Sequence, residues 1–155
     1  MRVAILQFPG SNCDWDAEHA VMDVLGIPAK RIWHKSELPS ETEAVIVPGG
    51  FSFGDYLRCG AIAQFSPIMK DLKEFSERGG SILGICNGFQ ILCESGLLPG
   101  ALIRNDCIDF RCLNQPLKVE DSNDRFNINS LGENLILPIA HGEGNYCADE
   151  STLSL

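Results

Sequence analysis

Short apolar runs alternate with amphipathic ones along this chain, and the alternation predicts most of its elements. Val3 to Phe8 is apolar apart from Gln7 and is stopped by Pro9-Gly10, the pattern of a strand buried on both faces. A helix is predicted from Asp14 to Leu25, because Ala17, Ala20, Val21, Val24 and Leu25 recur at helical spacing. Asp14 and Asp16 suit its positive N-terminal end and Gly26 stops it. Arg31 to His34 reads as a second strand and Ala44 to Val47 as a third, which Pro48-Gly49-Gly50 ends abruptly. A loop containing Gly54 and Gly60 leads to a helix from Ser66 to Arg78, with Ile68, Leu72 and Phe75 on one face and Gly79-Gly80 as its terminator. Ser81 to Ile85 is a fourth strand, and Asn87 to Ser95 a helix closed by Gly96.

Strands alternating with helices through short links predict a mostly parallel sheet with right-handed crossovers and helices on both faces, a three-layer α/β/α arrangement. Sites in such sheets lie beyond the carboxyl ends of the strands. After Gly100 the pattern changes. Leu117 to Val119 and Leu135 to Ile139 read as strands around the polar stretch from Glu120 to Asn134, and no closing strand or helix is read at Ser151 to Leu155. Glu120, Asp121 and Asp124 read as a solvated loop. No repeat or linker divides the chain, so a single domain over residues 1–155 is expected.

Composition narrows the function classes. The 155 residues are 45% hydrophobic and 21% charged, ordinary for one globular domain that buries roughly 70% of its unfolded surface without metal or disulfide. A net charge of -9 repels phosphate backbones and anionic membranes, so neither nucleic acid nor membrane is an expected partner. The N-terminal apolar run is too short for a signal peptide, and no stretch reaches the eighteen or so apolar residues of a membrane span. Seven cysteines without a CxxC pair or a zinc-type Cys/His spacing imply reduced thiols in a cytoplasmic protein. Cys107 and Cys112 are too loosely spaced for a metal knuckle, and no metal is expected.

The sharpest chemical signal is Gly84-Ile85-Cys86-Asn87-Gly88 at a strand-to-helix junction, a nucleophile elbow with Cys in place of Ser. Side chains flanking so tight a turn would collide, hence glycine on either side. A thiol at a helix N-terminus faces unpaired N–H groups and the positive end of the dipole, which favours the thiolate and offers donors to an oxyanion. Pro48-Gly49-Gly50 should end the neighbouring strand at the same sheet edge and supply a second backbone donor. Cys93, seven residues beyond Cys86, reads as core.

Gly84-Ile-Cys-Asn-Gly-Phe-Gln90 resembles the GxCxGxQ elbow of class I, triad-type glutamine amidotransferases. Pro9-Gly-Ser-Asn-Cys-Asp14, Pro48 through Gly60 and Ile139-Ala-His-Gly-Glu-Gly144 extend the resemblance, in order, to the ammonia-supplying subunits of a purine-pathway synthetase. It implies a flavodoxin-like domain that hydrolyses glutamine through a cysteinyl thioester. The ammonia would pass to a synthetase subunit that uses ATP and magnesium to convert formylglycinamide ribonucleotide to its amidine, with a small accessory subunit alongside. It also implies that Cys86 is the nucleophile, that the amides of Gly50 and Asn87 form the oxyanion hole, and that Gln90 helps to hold glutamine. No cofactor is implied for this chain itself.

The family completes its triad with a His-Pro-Glu segment, whereas His19, His34 and His141 are not followed by Pro-Glu. The resemblance therefore covers the N-terminal two-thirds of the family's domain, and the expectation is a C-terminally incomplete one. His141-Gly142-Glu143 belongs to a separate motif and reads as a hydrogen-bonded support. His19 reads as a surface residue. Asp55 and Arg58 read either as an ion pair or as part of a loop beside the active site. Two other readings stay open: a cysteine-elbow protein of the protease-like or chaperone-like kind, and a docking subunit without a full triad. Gln90 and the Pro48-Gly49-Gly50 turn favour the glutaminase.

Overall fold

The computed structural model describes residues 2–118 and 134–154. These group into two compact units, one within 1–102 and 146–155 and the other within 103–145.

The first unit is built on four parallel strands in the order β2-β1-β3-β4: β1 (Val3–Gln7), β2 (Ala29–Trp33), β3 (Ala44–Val47) and β4 (Ser81–Gly84). Pairing runs Val3 with Ala29 and Ala44, and Ala44 with Ser81. Central β1 is buried nearly throughout because helices cover both faces. On one face Ala4, Leu6, Val45 and Val47 pack with Ile68, Met69, Leu72 and Phe75 of α2 (Ile68–Glu77) and with Ile91 and Leu92 of α3 (Asn87–Glu94). On the other, Val3 and Ile5 pack with Val21 and Ala17 from the helical segment that follows β1. Each large apolar side chain buried this way contributes roughly 1.5–3 kcal/mol. The result is the flavodoxin-like α/β/α sandwich that the strand and helix alternation predicts.

Differences from the pattern have local causes. The first helix is α-helical only over α1 (Asp14–His19) and widens into a π-turn over Ala20–Val24, with Leu25 N–H donating to Ala20 O at 3.1 Å. The wider turn rotates the apolar stripe, so Val24 and Leu25, which recur at helical spacing in the sequence, are exposed. Helix α2 begins two residues later than predicted because Ser66-Pro67 forms the entry turn. At the far end, β5 (Ala101–Ile103) pairs with β8 (Asn145–Cys147), and the chain runs into α4 (Glu150–Leu153). That single turn was not predicted; it is too short for periodicity, but the Asp149 carboxylate accepts from Thr152 N–H at 2.7 Å, a capping signal the sequence does carry.

The second unit is an antiparallel ribbon of β6 (Arg111–Lys118) and β7 (Asn134–His141), registered from Arg111 opposite His141 to Lys118 opposite Asn134. Strand β6 starts six residues before the predicted Leu117. Pro116 and Pro138 hide the period-two pattern, and a two-stranded ribbon of edges tolerates them. Val119, together with Glu120, Asp121 and Asp124, lies outside the described residues.

Candidate active site

Strands β3 and β4 end side by side, with Val47 paired to Gly84 and Ile85 N–H donating to Val47 O at 3.0 Å. The Pro48-Gly49-Gly50 turn and the Cys86 elbow therefore leave the sheet at the same edge. Cys86 adopts φ 50° and ψ -110°, and its carbonyl accepts from Phe89 N–H at 3.0 Å and Gln90 N–H at 3.2 Å, starting α3. A non-glycine residue in that conformation stores about 1–3 kcal/mol and is retained only where the surroundings enforce it. Here its effect is to turn the thiol outward, and Cys86 is exposed.

The flanking glycines are steric requirements. A Cβ on Gly84 would lie 2.6 Å from Leu92 Cδ1, and one on Gly88 would run into the Val47 carbonyl. Helix α3 can approach β3 and β4 only through these two positions. A Cβ on Gly49 would lie 3.4 Å from Cys86 Cβ, which places the turn directly against Cys86. Gly50 has φ 131° and would set a Cβ 2.7 Å from Asn12 N, so no side chain fits there. The amide of Asn87, first in α3, belongs to the helix end that lies outside the i to i-4 ladder.

Asn87 is 2% exposed and its carboxamide is spoken for on both sides. Oδ1 accepts from Ser52 N–H at 3.0 Å, and Nδ2 donates to Asp55 Oδ1 at 3.1 Å and to Gln90 Oε1 at 3.0 Å. Gln90 is buried, with its side-chain oxygen on Asn87. Asp55 thus belongs to a loop beside the elbow, and Arg58 of the same loop forms a forked pair with Glu94 at 2.6 and 2.8 Å. The loop tip carries Tyr56 and Leu57, the latter 90% exposed with φ 74°.

Cys13, named in the sequence only as part of a motif, is the residue that reading by elements missed. Its N–H donates to Gly49 O at 3.4 Å, and its Sγ lies 3.6 Å from the position of a Gly49 Cβ. Burial pushes its thiol up, and the negative charges of Asp16, Cys86 and Asp14 push it further. The available signal was its place just beyond β1, at the same sheet edge as Cys86. Cys93 is buried, and burial followed by the charge of Glu94 raises its thiol, in keeping with a core role.

Of the histidines in the first unit, His19 pairs on the surface with Asp23 at 2.8 Å, and His34 is buried with Nδ1 3.1 Å from Ser66 Oγ. Burial, then the charge of Lys35, lowers the His34 pKa. In the second unit, His141 Nδ1 lies 3.0 Å from Asn105 Oδ1. Among the described residues no cluster of three or more His, Cys, Asp or Glu is placed to hold a metal, and no helix is long and apolar enough to cross a membrane.

Comparison with known proteins gives one consistent family. The model of the CobB/CobQ-like glutamine amidotransferase domain matches residues 1–154. Phosphoribosylformylglycinamidine synthase subunit PurQ of Salinibacter ruber is 53% identical over 154 residues, 99% of this chain and 66% of the relative. The subunit of the same name from Alkaliphilus metalliredigens is 54% identical over 155 residues, 99% of this chain and 69% of the relative. A chain in the structure of PurLQS from Thermotoga maritima superposes with a TM-score of 0.88 at 43% identity, covering 96% of this chain and 70% of that one. The chain thus spans about two thirds of the length of the relatives it matches. It belongs to the CobB/CobQ-like glutamine amidotransferase family, as a class I, PurQ-like member.

Proposed function

We propose that this chain is the glutaminase subunit of a phosphoribosylformylglycinamidine synthase. The observation that carries the reading is the exposed Cys86 thiol on a strained elbow, set against the Gly49-Gly50 turn in a chain of this family. Cys86 Sγ attacks the side-chain carbonyl carbon of glutamine, the carbon–sulfur bond forms, and the carbonyl electrons move onto oxygen. The N–H groups of Gly50 and Asn87 donate to that oxyanion. Collapse breaks the carbon–nitrogen bond as the proton given up by the Cys86 thiol passes to nitrogen, so that ammonia departs, and water then cleaves the thioester to glutamate and returns a proton to the free thiol. Gln90 helps to hold the substrate from one turn into α3.

The ammonia is consumed by a synthetase subunit, which uses ATP and magnesium to convert formylglycinamide ribonucleotide to the amidine. A small accessory subunit completes the complex. No cofactor is bound by this chain. Seven free thiols suit a reducing cytoplasm.

Alkylation by a glutamine-analogue electrophile, followed by intact mass, tests the reading. Single labelling that excess glutamine suppresses and Cys86→Ala abolishes is the expected result. Scattered labelling over the seven cysteines, indifferent to glutamine, would leave a docking subunit instead.

A further inference from the structure

The glutaminase reading gives Asn87 a backbone role only, yet its side chain makes three hydrogen bonds. Its three hydrogen bonds fix the orientation of the amide. Ser52 N–H can only donate, so it faces Oδ1; the Asp55 carboxylate can only accept, so it faces Nδ2. The second Nδ2 proton goes to Gln90 Oε1.

These bonds cross from the elbow to the loop that begins at Gly50. That loop does not hold its shape by propensity: Phe53, Asp55 and Leu57 all have positive φ, at 54°, 54° and 74°. Such residues stay in place only under constraint from outside the loop. Constraint comes from two sides. Phe51 N–H and Phe53 N–H donate to Gly10 O and Pro9 O at the end of β1, at 3.2 and 2.6 Å, and Asn87 grips Ser52 and Asp55 from α3. The Ser52 hydroxyl is buried with no partner, so the backbone of that residue is the anchor.

We infer that the Asn87 side chain is a positioning residue for glutamine hydrolysis: it ties the 50–55 loop to the elbow and so holds the Gly50 N–H where the oxyanion forms. The inference rests on the glutaminase reading. One residue then controls both oxyanion donors, its own amide through the helix start and that of Gly50 through the loop. Asn87→Asp keeps the shape but turns an acceptor toward Asp55 and Gln90, and Asn87→Leu removes all three bonds.

The test uses the natural chain assembled with its synthetase partner and measures glutamate release. Wild-type enzyme that releases none overturns the glutaminase reading, and this inference with it, before any variant is compared. Losing an oxyanion donor outright costs about 100- to 1,000-fold in kcat, and a displaced donor should cost about 10- to 100-fold in Asn87→Asp and Asn87→Leu, with KM within about threefold. Iodoacetamide reacts at a saturated carbon and forms no oxyanion, so its rate with Cys86 should stay within about threefold of wild type. Asp55→Ala, at a half-buried loop position outside α3, should lose several-fold in kcat, and Asp55→Asn, which keeps an acceptor oxygen, should recover most of it. Unchanged kcat in the Asn87 variants, a loss confined to KM, or alkylation falling in step with kcat would each overturn the inference.

Discussion

Each unit of this molecule hangs a short functional-looking motif on a buried asparagine, and the two asparagines are used differently. Asn87 spends its carboxamide on one backbone N–H and two side chains, Asp55 and Gln90. Asn105, 7% exposed, spends its own mostly on backbone: Nδ2 donates to Asp109 O and His141 O, and Oδ1 accepts from Gly144 N–H at 2.9 Å. Its N–H also donates to Gly142 O at 3.0 Å. A hub that grips side chains transmits substitutions at its partners; one that grips carbonyls does not. The elbow is therefore an adjustable assembly, whereas the His141 turn is held as a fixed loop.

The largest effect separating the regions is expected at their glycines. Gly88→Ala drives a methyl group into the Val47 carbonyl, whereas a Cβ on Gly142 meets only Phe110 Cδ2 at 3.8 Å. Overpacking of a rigid contact costs about 1–3 kcal/mol, so Gly88→Ala should lower the denaturant midpoint by an amount near the top of that range. Gly142→Ala should remain within about 0.5 kcal/mol of wild type. Equal midpoints would mean that α3 can slide on the sheet, and the steric account of the elbow would fail.

A smaller effect probes the other hub. Asn105→Leu removes the side-chain partner of the half-buried Gly144 N–H and His141 carbonyl, while the carbonyl of exposed Asp109 keeps Cys107 Sγ at 3.6 Å. A buried polar group left unpaired costs about 1–3 kcal/mol, and these half-buried ones should fall at the low end of that range. Amide exchange should quicken at Gly144 and leave α3 unchanged. The same network fixes the neutral His141 ring: Oδ1 of Asn105 can only accept, so Nδ1 carries the proton and Nε2 the lone pair. Nitrogen chemical shifts showing the opposite tautomer would refute the assigned orientation of Asn105.

How far these two regions were legible in the sequence follows from the same contrast. The elbow announces itself, because Gly84, Cys86 and Gly88 are a steric solution that few other residues can satisfy. Three strands of the sheet are equally plain, since β1, β3 and β4 are apolar runs closed by Gly or Pro, whereas β2 carries Lys30 and Arg31 and runs from Ala29 to Trp33, two residues ahead of the Arg31 to His34 reading at its start and one at its end. What stayed hidden depends on contacts between distant residues. Nothing in the order Ser52, Asp55, Asn87 foretells a shared hydrogen-bond network, and Cys13 is 73 positions from the Cys86 it sits near. The π-turn after His19 was invisible for a different reason: its apolar residues keep helical spacing while the backbone does not. Strand β6 was cut short because Pro116 breaks the alternation that reveals strands.

The smallest predicted effect isolates charge from hydrogen bonding at the elbow. The Cys13 thiol is held above its ordinary value of 9.0 by burial first and by the Asp16 charge second. A raised pKa lowers the thiolate fraction at any given pH, and alkylation proceeds through thiolate. The labelling rate of Cys13, followed peptide by peptide, should therefore reach its midpoint above pH 9.0. Asp16→Asn removes only the second cause, so the midpoint should move down but stop above 9.0, because burial remains. Cys86→Ala, which removes a weaker source, should move it less than Asp16→Asn does. A midpoint at or below the ordinary value in wild-type protein would mean that water reaches the thiol freely, and that the end of β1 does not close over Gly49 as the hydrogen bond from Cys13 requires.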